Sequence, residues 1–161
     1  LKPYLAKRKR RKKKKEIKMN SFSKDLAAGV SVEISILNKI QSKYPKAVRL
    51  EGKIKPYDIY VPETNIYIEI KSDKKSLETG NIVVEVEMFN KPSGLNSTKS
   101  DIWIFYTGRE YICIKPSRIW ECLSRNMLSP VEFVGNGDSQ PKKAYLIKKE
   151  LLKKYAIKGA I

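Results

Sequence analysis

The groups able to do chemistry in this chain of 161 residues are carboxylates, lysines and hydroxyls, because the sequence contains no histidine. That absence removes Ser-His-Asp and Cys-His nucleophiles, histidine zinc sites and any hydrolysis that relies on an imidazole base. Four residues stand out: Glu33, Asp58, Glu69 and Lys71. Asp58 and Glu69 lie in two strand-like stretches, 57–61 and 66–71, separated by the turn-forming Pro62-Glu63-Thr64-Asn65. A four-residue loop pairs Val61 with Ile66 and therefore sets Asp58 opposite Glu69. Alternation puts Ile66, Ile68 and Ile70 on one face and Tyr67, Glu69 and Lys71 on the other. Like charges directly across a strand pair are destabilising. A divalent cation between them would relieve the repulsion, and oxygen-only ligands suit Mg²⁺, with Mn²⁺ as a substitute. The other explanation is a solvated sheet face on which Lys71 neutralises one carboxylate.

The elements that must position these residues follow from pattern. A helix capped by Ser21 or Ser23 is predicted to run to about Tyr44, with Pro45 closing it. Leu26, Val30, Leu37 and Ile40 fall in one narrow stripe of it, the face expected to meet the core. Glu33 lies within that stripe, where an ionised carboxylate is costly unless a cation or strong donor meets it or it sits at the interface edge. A short strand is predicted at 47–50. Residues 81–89 alternate Ile82, Val84, Val86 and Met88 with Val83, Glu85 and Glu87, which reads as a further strand of the same sheet. In the loop 90–100, Lys91, Ser93, Ser97, Thr98 and Lys99 are the candidate nucleic-acid contacts; a polar surface connection is the alternative. Residues 101–106 and 110–115 read as buried strands joined at Gly108, and Pro116 opens a helix. A loop at Gly135-Asn136-Gly137-Asp138 precedes a strand at 144–147 and a basic helix at about 148–157, whose lysines fit a solvated face or phosphate contacts.

The chain carries 34 Lys+Arg against 17 Asp+Glu, a formal charge of +17. Residues 1–18 hold eleven of those cations against Glu16 alone, so the other 143 residues net only +7. The run Arg8 to Lys15 is expected to be a disordered basic arm that binds polyanions, and it is expected to be non-native, with Met19 as the start of the natural protein. Residues 19–161 then form a single domain. Cys113 and Cys122 sit in apolar surroundings without metal-ligand spacing, as reduced core thiols would. No stretch approaches the roughly 20 apolar residues of a membrane span, the basic stretch at the start of the sequence lacks the apolar segment of a signal peptide, and no P-loop or dinucleotide fingerprint is found, so no small-molecule cofactor is expected. A cytoplasmic protein of a bacterial cell or phage-infected host is expected.

A helical glutamate followed by strand, Asp, turn, strand and Glu-x-Lys resembles the PD-(D/E)XK nuclease superfamily. Here the pattern reads Glu33, then Pro56-Tyr57-Asp58, then Glu69-Ile70-Lys71, with Tyr57 inserted between the proline and the aspartate. Thr79-Gly80-Asn81 to Glu85, Lys91-Pro92-Ser93-Gly94 and Lys99-Ser100-Asp101 look like small phage and bacterial members. The resemblance covers roughly residues 22–115. It implies an α/β fold with a restriction-endonuclease-like α/β/α core, a central mixed sheet flanked by helices. It further implies that Asp58, Glu69 and the Ile70 backbone carbonyl hold Mg²⁺, that Glu33 binds or orients a metal water, and that Lys71 orients the attacking water.

The function so implied is Mg²⁺-dependent DNA endonuclease activity, structure-selective like a Holliday-junction resolvase or of a restriction or repair kind, acting as a possible homodimer. A non-catalytic nucleic-acid-binding module that keeps the fold is the alternative. A basic scaffold recruiting RNA is a third reading, for which only residues 1–18 speak.

Overall fold

The computed structural model describes residues 2–135 and 139–161. In chain order these are α1 (Lys2–Gln41), β1 (Val48–Arg49), β2 (Ile59–Val61), β3 (Ile66–Ser72), α2 (Ser76–Thr79), β4 (Asn81–Met88), β5 (Lys91–Pro92), a 3₁₀ turn (Gly94–Asn96), β6 (Ile102–Tyr106), β7 (Tyr111–Ile114), α3 (Pro116–Arg125), β8 (Val131–Phe133), β9 (Lys142–Lys148) and α4 (Lys149–Lys153). The strands form two sheets. One is mixed, in the order β1-β2-β3-β6-β7, with β3 and β6 parallel and the other neighbours antiparallel. The second is antiparallel, in the order β5-β4-β9-β8.

The hairpin has the register its turn length dictates: Val61 pairs with Ile66, Tyr60 with Tyr67 and Ile59 with Ile68. Regular pairing ends at Ile59, however. Asp58 does not face Glu69 as a ladder partner; its N–H donates to the Ile68 carbonyl at 2.9 Å. Asp58 and Ile59 are consecutively buried, so the alternation breaks there.

Each face of the mixed sheet has its own apolar cluster. Ile59, Val61, Ile68, Ile104 and Cys113 pack against Val32, Ile36 and Ile40 of α1. On the opposite face Trp103, Phe105, Ile112 and Ile114 pack against Ile82, Val84 and Val86 of β4, together with Ile119 of α3, Ile147 of β9 and Leu152 of α4. The second layer is thus a sheet with two helices at its side. Residues 81–89 were expected in the sheet of the hairpin; β4 lies in the other sheet, because its buried side chains face Trp103 and Phe105 rather than a strand edge. Both cysteines are free and buried, and burial pushes the Cys113 thiol up to about 11 and raises that of Cys122.

Helix α1 departs from expectation in two ways. It begins at Lys2, so neither Ser21 nor Ser23 caps it, and the basic run expected to be disordered is helical, with Arg10, Arg11 and Lys13 to Lys15 exposed. Lysine and arginine are good helix formers, so charge excludes them from a core without excluding them from a helix. The core-facing line is also rotated: Val32, Ile36 and Ile40 are buried at i, i+4 spacing, Leu37 flanks them, and Leu26 is 51% exposed. Residues 21–28 of this 40-residue helix are exposed, and its buried side chains among the described residues begin at Val32, so Leu26 lies beyond the part of the helix that packs on the sheet. The other boundaries shift by a few residues, most at the final helix, which stops at Lys153. Asn136 to Asp138 of the Gly-Asn-Gly-Asp loop lie outside the described residues.

Truncating Ile36, which is fully buried, to alanine is expected to cost about 3 kcal/mol, whereas Leu26→Ala should stay within about 0.5 kcal/mol. Urea unfolding of the two variants checks this, and equal losses would return Leu26 to the core face.

Candidate functional site

The second sheet does not cover the whole mixed sheet, and where it stops a cleft opens. The cleft has a volume of about 270 Å³ and is lined by Lys55, Glu69, Lys71, Thr98, Lys99 and Trp103, with Pro56, Gly94 and Ser97 completing its wall. A neighbouring hollow of about 400 Å³ shares Lys71, Gly94 and Trp103 with it and extends to Asp73 and Glu85.

Strand β3 positions the two chemical residues of the cleft. Glu69 and Lys71 point away from α1, and the Lys71 ammonium lies 2.6 Å from Glu69 Oε1 and 5.1 Å from the centre of the Trp103 ring. An ion pair on one side and a π face on the other hold that long side chain in place. Burial raises the Glu69 carboxyl above its ordinary value; the charge and hydrogen bond of Lys71 oppose the shift, and the charges of Asp58 and Lys55 also reach it.

Asp58 enters from the start of β2 and is 6% exposed. One carboxylate oxygen accepts the Ile70 N–H at 2.6 Å. The other meets the Lys55 ammonium at 2.9 Å. In a strand the N–H and C=O of one residue point to the same side, so the Ile70 carbonyl also leaves β3 on the Asp58 side. Glu33 comes from α1 and is bound by Lys55 at 3.0 Å to both carboxylate oxygens and by Arg49 at 2.8 Å. Lys55 therefore bridges Glu33 and Asp58 and also donates to the Leu50 carbonyl at 3.2 Å. Burial pulls that ammonium down, but its hydrogen bonds to Asp58 and Glu33 and their charges outweigh burial and raise it.

Asp58, Glu69 and Lys71 thus gather at one end of the hairpin, with Glu33 joined through Lys55. The loop candidates divide. Ser97, Thr98 and Lys99 line the cleft; the Thr98 hydroxyl accepts the Trp103 indole N–H at 2.9 Å. Ser93 donates to Glu85 at 2.7 Å, and Lys91 lies on the edge strand β5, exposed. Gly94 is required here: its φ is +50°, and a Cβ would run into the Glu85 carbonyl oxygen.

Sequence reasoning missed Lys55, Arg49 and Trp103. Lys55 stands three residues before Asp58, a spacing that in an irregular loop carries no directional information. The repulsion that seemed to need a divalent ion is met in this structure by lysines: Lys55 serves Glu33 and Asp58, and Lys71 serves Glu69. Among the described residues no three acidic, histidine or cysteine side chains form a ready-made metal cage. Asp58, Glu69 and the Ile70 carbonyl are a smaller, all-oxygen donor set, which suits a hard cation. No protein-family model matches the chain, and neither the curated proteins nor the solved structures include a significant match.

Removing Lys55 while leaving its partners should be costly, because the buried Asp58 then loses its counter-ion and the partly buried Glu33 keeps only Arg49. Lys55→Met is expected to destabilise by roughly 3 kcal/mol, and adding Glu33→Gln to recover part of that loss, as read by denaturant unfolding. Glu69 gives a pH test. Its raised value means its contribution to stability is full below the ordinary carboxylate range and is lost as pH rises through the raised value. Glu69→Gln should therefore be more stable than wild type at pH 7, by under about 1 kcal/mol, and equal to it near pH 3; a gain that persists at pH 3 would contradict this.

Proposed function

We propose that the cleft is the active site of a divalent-cation-dependent nuclease that hydrolyses phosphodiester bonds in DNA. The observation that carries the reading is the placement of Glu69 and Lys71 in the cleft wall, with the buried Asp58 close enough for its charge to reach Glu69, beside cations and hydroxyls able to hold a phosphate backbone. The chain order supports it too: a helix, a three-strand antiparallel meander, then a parallel strand beside β3 is what a restriction-endonuclease-like core begins with. No helix among the described residues is long and apolar enough to cross a membrane.

Asp58, Glu69 and the Ile70 carbonyl would hold Mg²⁺ or Mn²⁺, with Glu33 behind them. Such an ion supplies Lewis acidity toward a phosphoryl oxygen and acidifies a water. Lys71, fixed by Glu69 and Trp103, orients the attacking water toward phosphorus; a P–O bond forms from the water as the ester P–O bond breaks, the water's proton passes to solvent, and the leaving alkoxide takes a proton from solvent. Lys99 and the hydroxyls of Ser97 and Thr98 hold the flanking phosphates, which makes binding salt-dependent. A cation held by Asp58 would compete with the Lys55 ammonium now 2.9 Å from that carboxylate.

That same lysine favours a second reading, a nucleic-acid-binding module without catalysis, since an ammonium already neutralises Glu33 and Asp58. Cleavage of plasmid and branched DNA with Mg²⁺ or with chelator separates the two. Wild type is expected to cut only with the metal, and Asp58→Ala and Lys71→Ala to lose about 100-fold or more in rate while still binding DNA. If wild type cuts nothing, or the variants cut equally well, the nuclease reading fails.

A further inference from the structure

The face of the hairpin turned away from α1 carries three tyrosines. Tyr60 and Tyr67 are cross-strand partners whose rings stack with centroids 4.7 Å apart and planes 18° apart. Tyr57 lies against Tyr67 at 4.6 Å. Tyr57 also lies 6.4 Å from Tyr60, so the three rings form a triangular cluster in which Tyr60 stacks on Tyr67 and Tyr57 is tilted against both; the Tyr60 hydroxyl donates to Asn65 Oδ1 at 3.0 Å, and all three residues are partly exposed. Alternation puts Tyr67 on the same face of β3 as Glu69 and Lys71, which places the cluster on the side of the hairpin that carries the cleft. The apolar cluster that covers this face over β6 and β7 includes none of the three rings. Beside Tyr57, the loop 52–56 presents Ile54 fully exposed, next to an exposed Lys53, while Lys55 and Pro56 of the same loop line the cleft.

Holding the hairpin together needs one aromatic cross-strand pair. A third ring and a bare isoleucine add apolar surface exposed to water, at the mouth of a cleft with Lys71 and Lys99 in its wall. Partly exposed rings beside cations are what stack unpaired bases while the cations follow the backbone. An exposed aliphatic side chain next to them is suited to part neighbouring bases. Paired bases inside a duplex keep their faces covered and offer such rings nothing to stack on.

We propose that Tyr57, Tyr60 and Tyr67 form a stacking subsite for unpaired nucleobases, with Ile54 as a wedge at its edge, so that the preferred ligand of the cleft is DNA with single-stranded nucleotides rather than continuous duplex. The inference rests on the cleft receiving nucleic acid, and it does not require cleavage.

Fluorescence anisotropy in chelator, where no metal-dependent cutting occurs, tests it with three probes: labelled oligo(dT), an abasic strand of equal length and charge, and a duplex. Wild type is expected to bind oligo(dT) at least about tenfold more tightly than the abasic strand, and more tightly than the duplex. The double variant Tyr57→Ala, Tyr60→Ala should lose most of that preference, and Tyr57→Phe, Tyr60→Phe should keep it. Equal binding of oligo(dT) and abasic strand by wild type overturns the proposal and needs no variant. A folded alanine double variant that keeps the preference overturns it as well. A protein that prefers bases yet cuts no DNA supports this subsite while refuting the nuclease reading; one that cuts DNA but binds both strands equally does the reverse.

Discussion

Two carboxylates from distant parts of the chain are held in partly dehydrated surroundings, and the arrangement of the site depends on how their charge is met. Glu33 on α1 and Asp58 at the start of the hairpin share the Lys55 ammonium, and Arg49 of β1 completes the shell around Glu33. Each contact at about 3 Å is worth on the order of 5 kcal/mol of attraction at an effective dielectric near 20, and desolvation offsets much of it. The network is therefore better understood as specifying geometry than as a large source of stability. It sets where α1 crosses the sheet, closes the loop between β1 and β2, and leaves Asp58 one oxygen for the Ile70 N–H. Breaking the strand ladder at Asp58 is part of the same solution, because a carboxylate turned inward to Lys55 and to a backbone N–H cannot also stand in the regular pleat.

A second constraint decides which part of the sheet is open. The mixed sheet buries apolar side chains on both faces, and the face away from α1 is covered by β4 and β9 over β6 and β7. The cover stops before the hairpin. Between Glu85 and Glu87 the pairing of β4 with β9 shifts register, and after β5 the chain folds back through Gly94, whose backbone lies tight against Glu85. That reversal brings Ser97 and Thr98 beside Lys71 and Trp103. Polar residues reach the cleft because a glycine allows two backbones to approach where a side chain would hold them apart.

Much of the hairpin is legible in the sequence, for a local reason. Four turn residues between two alternating runs leave one register that keeps Ile59, Val61, Ile66 and Ile68 on a common face, and that register is observed. The buried and exposed sides of β4 follow from the same period of two, whereas β6 and β7 are buried on both faces and read as continuous apolar runs. Helix α1 was less legible: Leu26 and Ile36 have equal claims by hydrophobicity, and only the extent of the sheet beneath the helix separates them. The assignment of β4 to a second sheet was not legible either, since a strand's alternation says which side is buried and nothing about what buries it.

By itself, then, the sequence determined the chemistry available and its local order. No histidine, Asp58 eleven residues before Glu69, and Lys71 two residues further on the same side of a strand follow from composition, turn length and pleat, all of which act over a few residues. Only the tertiary structure decided what those groups face. Lys55 and Arg49 become counter-ions because a helix, a two-residue strand and an irregular loop converge, and Trp103 becomes a wall of the cleft because β6 lies parallel beside β3. Apart from Lys55–Asp58, these contacts join residues sixteen or more positions apart. They are set by how whole layers bury their apolar faces, a condition that no single segment of the chain expresses.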